Sequence, residues 1–112
     1  MNVYDQAHAL ARNLRQHQEI TALHAAKAKV DADPQAKDML DNFVQKSMQI
    51  QMQELSGTPA SQEEKEQLEK LSEIVFLHAD IRAYHEQSLR VERLLQDIYG
   101  IITRAVQLDS EQ

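Results

Sequence analysis

Cysteine is absent from the 112 residues, and so is tryptophan. Without cysteine there is no disulfide, no thiolate metal site and no cysteine-held iron–sulfur cluster. Glycine and proline are nearly missing too: two of each, at Gly57, Gly100, Pro34 and Pro59. A sheet needs turns, and turns draw on these residue types, so their scarcity favours long helices with few connections. Aromatic residues are limited to Tyr4, Phe43, Phe76, Tyr84 and Tyr99, which leaves a core of Leu, Ile, Val, Met and Ala. No apolar run approaches the ~20 residues that cross a bilayer. The N-terminal stretch MNVYDQAHALARNLRQ lacks the apolar centre of a signal peptide. The expected location is therefore the cytoplasm, away from membranes.

What is present describes a single globular domain, residues 1–112, with 42% apolar and 27% charged residues. The net charge of −6 argues against general affinity for nucleic acid or anionic lipid, because phosphate binding is driven by Lys and Arg. Four arginines (Arg82, Arg90, Arg93, Arg104) do fall in the last third, but Glu86, Glu92 and Asp97 are interleaved with them. That mixture reads as a solvated face.

The element boundaries follow from capping chemistry and apolar spacing. Asn2 is an N-cap candidate with Asp5 in the first turn. Val3, Ala7, Leu10, Ala11 and Leu14 then recur at helical steps, predicting a helix over 3–15. A change of apolar phase and the polar cluster RQHQE place a break near Arg15 to Gln18, before a second helix over 18–31. Asp33 followed by Pro34 is the pairing expected where a helix opens, and no breaker follows until SGTPAS, so the third helix is predicted over 34–55. Gly57 suits its C-cap and Pro59 blocks continuation. Ser61 to Glu64 forms a capping box that opens a fourth helix over 61–77. HAD, residues 78–80, reads as a short connection with Asp80 as N-cap of a last helix over 80–108. The tail LDSEQ is expected to fray. The predicted fold is all-α, a five-helix bundle with long antiparallel helices.

One stretch resists this reading. QKSMQIQMQEL, Gln45 to Leu55, alternates polar and apolar residues as a half-buried strand would. Cutting the 34–55 segment there would require a turn that the sequence does not supply, so helix is preferred. On a helical projection Ala36, Met39, Leu40 and Ile50 lie within about 60° of Phe43, Val44, Met48 and Leu55 at roughly 100–140°, and Met52 near 180°. One-sided packing needs a stripe a little over ~100° wide, and this arc is about twice that. Either neighbouring helices cover all of it, or Val44, Met48, Met52 and Leu55 face another subunit. Methionine adapts to irregular surfaces and is favoured in interface cores.

The last helix carries a second pattern. Ile81, Tyr84, Ser88, Val91, Leu95, Ile98, Ile102 and Ala105 alternate steps of three and four, a heptad seam, and Leu94, Ile101 and Leu108 form a stripe beside it. The expected oligomer interface comprises Val44, Met48, Met52, Leu55, Val91, Leu94, Leu95, Ile98 and Ile101.

Signs of chemistry are few. There is no Gly-rich phosphate loop, no GxSxG and no HExxH, and the acidic run EEKEQLEK reads as a solvated helix face, so no enzyme activity and no cofactor are expected. His17 and His24 are seven residues apart, as are His78 and His85; metal-binding helices more often use three or four, since seven separates the side chains by ~10 Å. A histidine metal site is kept as an alternative.

The segments NVYDQAHALA, ADPQAKDMLDNF and the later LSG, in this layout of helices, resemble the YlbF/YmcA family, most closely its small YheA-like branch from Firmicutes. The resemblance implies an all-helical cytoplasmic protein that forms dimers or higher oligomers through its long helices. It also implies a link to RNA processing, because YlbF and YmcA act with YaaT to assist ribonuclease Y. Their iron–sulfur clusters are held by cysteines; this chain has none, and that cofactor is not carried over. The leading reading is a self-associating adaptor or regulatory subunit with a possible protein partner in an RNA-processing complex. The alternatives are direct binding of RNA or of a ribonuclease complex, and metal binding by histidine.

Overall fold

The computed structural model describes residues 2–107. They form five α-helices: α1 (Val3–Gln16), α2 (Gln18–Ala32), α3 (Pro34–Leu55), α4 (Gln62–Val75) and α5 (Ala79–Val106). No strand occurs among the described residues, and the alternating Gln45–Leu55 stretch is helical throughout. Leu108 and the LDSEQ tail lie outside the described residues.

The caps explain why the helices start where they do. Asn2 Oδ1 accepts from the Asp5 N–H at 2.9 Å. Asp33 Oδ1 accepts from the N–H groups of Gln35 (3.1 Å) and Ala36 (3.3 Å), with Pro34 at the first helical position. Ser61 and Glu64 close their capping box in both directions. Two starts follow a different rule. His17 Nδ1 accepts from the Glu19 N–H at 3.0 Å, and His78 Nδ1 from the Asp80 N–H at 3.3 Å. The N-cap of α5 is therefore His78, not the expected Asp80, which sits in the first turn where its charge suits the helix dipole. Helix α4 stops at Val75, short of Leu77, and Phe76 is its C-cap. Gly57 follows the Ser56 C-cap of α3 with φ +84, the left-handed conformation that glycine adopts without a Cβ penalty.

The helices pair antiparallel and meet at a hub. Val30 at the end of α2, Ala36 and Leu40 at the start of α3, Val75 at the end of α4 and Ile81 at the start of α5 form one buried cluster. Met39, Phe43, Leu71, Phe76 and Tyr84 pack around it. Burying a side chain such as Ile81 contributes about 1.5–3 kcal/mol. The Phe76 ring stands edge-on to Phe43, centroids 5.4 Å apart, and its other neighbour is His85 at 4.7 Å. Further out, Gln87 Nε2 of α5 donates to the Glu19 carbonyl of α2 at 2.9 Å and to the Glu19 carboxylate at 3.2 Å. Lys65 of α4 reaches Glu54 of α3 at 3.6 Å.

Away from the hub the helices diverge. The radius of gyration is 18.6 Å and the extents are 50 × 37 × 22 Å, whereas a compact domain of this length has a radius of about 13 Å. The distal parts of α3 and α5 project as arms, and α1 has no buried residue.

Candidate functional site

The double-width arc on α3 resolves into two halves. Its first half faces the hub: Ala36 and Leu40 are buried, and Met39, Phe43 and Ile50 half-buried. Its second half faces solvent, with exposure rising along the arm through Val44 (42%), Met48 (56%), Met52 (66%) and Leu55 (82%). Among the described residues no other helix covers them, because α4 packs on the opposite side of α3, with Leu68 beside Ile50 and Leu71 against the hub. Gln45, Gln49 and Gln51 lie exposed beside this strip, giving it an uncharged border.

The α5 seam is likewise divided, along its length rather than across it. Ile81 is fully buried, Tyr84 and Ser88 half-buried, and Val91 only 7% exposed. Beyond Val91 the seam emerges: Leu95 is 47% and Ile102 52% exposed, with Ile98 half-buried between them. Leu95, Ile98, Tyr99 and Ile102 line a shallow apolar depression formed by α5 alone. In the neighbouring stripe Leu94 is half-buried and Ile101 is exposed. Val91 departs from the expected interface set. Helix α2 reaches this level of α5, as the Gln87–Glu19 bonds show, so Val91 is covered by its own subunit and is not available to a partner.

Gln87 is the buried polar residue that sequence reasoning missed. It lies one position from the seam, and its Oε1 accepts from Arg90 Nη1 at 3.1 Å. No sequence signal marks it, since its partner Glu19 is 68 residues away. The histidine caps were also missed, although a signal exists: His17 and His78 are each followed two positions later by an acidic residue, Glu19 and Asp80. Two of the five histidines therefore serve helix starts and a third, His85, packs on Phe76. Among the described residues no group of three His, Cys, Asp or Glu side chains converges as a metal site. Arg82 Nη1 donates to the Phe76 carbonyl at 3.2 Å, so two of the four C-terminal arginines, Arg82 and Arg90, are engaged within the subunit.

Asp33 has a second role beyond its cap. Its Oδ2 lies 3.3 Å from His78 Nε2, linking the start of α3 to the start of α5. Its carboxyl is held below the usual carboxylate value, chiefly by the Ala36 N–H and then by His78.

Fold and surface together define an elongated all-α protein that presents two apolar helix faces to its surroundings. The chain belongs to the YlbF/YmcA family, described as control of competence regulator ComK, which it matches over residues 3–107. Proteins similar to it include UPF0342 proteins of similar length. One from Symbiobacterium thermophilum is 39% identical over 96% of both chains. One from Caldicellulosiruptor saccharolyticus is 33% identical over 98% of this chain and 92% of its own. One from Bacillus licheniformis is 33% identical over 96% of this chain and 92% of its own. No helix among the described residues is long and apolar enough to cross a membrane.

Proposed function

We propose that this chain is a non-enzymatic, single-domain helical subunit of the cytoplasm that self-associates and serves as an adaptor or regulatory component. The observation that carries this is the unsatisfied apolar surface of the two arms. A compact monomer of 12.9 kDa exposes about 6,300 Å², whereas this subunit exposes 8951 Å². The difference, about 2,600 Å², exceeds the ~800 Å² that each partner contributes to a standard interface. Val44, Met48, Met52 and Leu55 on α3, with Leu94, Leu95, Ile98 and Ile101 on α5, supply the apolar part. Contiguous exposed patches of this kind mark protein contacts.

The family's link to competence control, and the RNA-processing role that the resemblance implies for YlbF and YmcA, support a regulatory partner over a substrate. Direct RNA binding finds less support, given the net charge of −6 and the internal engagement of Arg82 and Arg90. Sedimentation equilibrium at micromolar concentration tests the reading. A dimer or larger species is expected, and a compact monomer would overturn it. An affinity pull-down from native cytoplasm would then identify the non-identical partner.

A further inference from the structure

His17 is the single residue between α1 and α2. Its φ of −66 is already helical, and its ψ of 138 alone departs from the helical value of about −42. Rotation about one backbone bond therefore separates two helices from one continuous helix over 3–32. The other close junctions are built differently. Asp33, between α2 and α3, precedes Pro34, and a residue before proline is disfavoured in the helical region. At the start of α5, Val75 and Ile81 are fully buried on either side of His78, whose Nε2 is also tied to Asp33. No glycine or proline lies between residues 3 and 32. Helix α1 has no buried residue, and Leu10 and Leu14 are half-buried. The side-chain bond at this bend is the cap of α2, in which the ring Nδ1 accepts from the Glu19 N–H at 3.0 Å.

We propose that the α1–α2 junction is a pH-operated hinge: neutral His17 keeps the bend, and protonation of its ring lets residues 3–32 join into one helix. An imidazole Nδ1 accepts only while it carries no proton, and in the imidazolium both nitrogens are donors. Protonation therefore takes the acceptor from the Glu19 N–H in the bent form. In a continuous helix that N–H is satisfied by the Arg15 carbonyl, four residues back, whatever the state of the ring. The new charge itself decides little. His17 caps the C-terminal end of α1 and the N-terminal end of α2, and the two dipoles act on it with opposite sign. The charged groups around it are Arg15 in the last turn of α1, Glu19 in the first turn of α2 and, from α5, Arg90. Glu19 and Arg90 both bond to Gln87, and no ion pair among the described residues includes His17. His78 has the same kind of cap, but its protonated ring faces the Asp33 carboxylate, which offsets the lost acceptor and keeps that junction in place. Straightening at His17 reorients the stripe of Val3, Ala7, Leu10 and Leu14. The apolar surface offered to a partner then changes across the range of about pH 5 to 8 in which histidine changes charge.

The absence of cysteine makes the hinge measurable. Gln6→Cys and Ala28→Cys, both at exposed positions, carry a pair of spin labels in the full chain, diluted with unlabelled protein. Joined helices set the two positions about 33 Å apart, and the bend brings them closer. Dipolar spectroscopy should show the long-distance fraction rising about fivefold or more between about pH 8 and about pH 6. His17→Asn, whose side chain caps without titrating, should keep the short distance at both. His17→Ala, which cannot cap, should show the long distance at both. Circular dichroism checks that the helices persist in every variant. A wild-type distribution that ignores pH, or a pH response that survives in His17→Asn, would overturn the hinge. So would His17→Ala remaining as bent as the wild type at about pH 8. None of these readings depends on self-association, so the hinge and the adaptor reading fail separately.

Discussion

His78 and Asp33 each start a helix, and they touch: His78 Nε2 stands 3.3 Å from Asp33 Oδ2. The Nδ1 atom of His78 accepts from the Asp80 N–H at the head of α5, while Oδ1 of Asp33 accepts from the Gln35 and Ala36 N–H groups at the head of α3. With Nδ1 accepting, the neutral ring carries its proton on Nε2 and donates it to the carboxylate. Two helix origins 45 residues apart are thereby joined beside the hub.

A pH dependence follows from Asp33. Its carboxyl is lowered from 3.8 in the folded chain, first by the Ala36 N–H and then by His78. A lowered carboxylate contributes stability that is present above the unfolded value and is lost as pH falls through the folded one. Thermal melts should therefore show the Asp33 contribution at pH 5 and its loss below 3.8. Asp33→Asn retains a good capping side chain and should flatten that acid dependence. An acid limb of unchanged size in Asp33→Asn would show that other carboxylates set it.

Gln87 holds α2 to α5 by two bonds to Glu19 and receives a third from Arg90. Gln87→Ala should lower unfolding stability by about 1–3 kcal/mol, since a buried side chain is truncated and its partners lose hydrogen bonds. Urea titration reads this as a lower midpoint at unchanged slope.

The two glycines should respond with opposite sign. A Cβ at Gly57 would meet nothing within 4 Å, so Gly57→Ala is opposed only by its φ of +84, a cost of about 1–2 kcal/mol. In α5, a Cβ at Gly100 would approach only the flexible end of Arg104 at 3.4 Å. Gly100→Ala should stabilise the helix by up to about 1 kcal/mol. Melting temperatures of the two variants, measured side by side, check both signs.

On the α3 arm, Met48→Glu and Met52→Glu replace side chains that are 56% and 66% exposed. Neither should unfold the subunit, and far-ultraviolet circular dichroism should stay near wild type. Any contact that uses this face should weaken by tenfold or more, as expected when a charge enters a desolvated interface core. Loss of helicity in these variants would instead mark the two methionines as core.

Caps and spacing made the five helices legible before any coordinates. Asn2, Asp33 with Pro34, and the Ser61–Glu64 box are local devices, each acting within four residues, and a local cause can be read from a local sequence. The N-cap of α5 lies two residues before the expected Asp80, at His78, because histidine is a rare cap and aspartate a familiar one. Gln87 was illegible for the opposite reason. Its role depends on Glu19, brought beside it only when α2 and α5 pair.

What the sequence by itself determined is the rods: helix lengths, where they break, and the excess of apolar surface written onto α3 and α5. What only the tertiary structure decided is which part of that surface the subunit covers for itself. The extended backbone at His17 and the divergence of the arms leave Met52 and Ile102 in solvent while Leu40 and Val91 are buried, although all four occupy apolar stripes of helical period. Periodicity specifies the face of a helix. The place where its neighbour ends specifies how far along that face the cover extends.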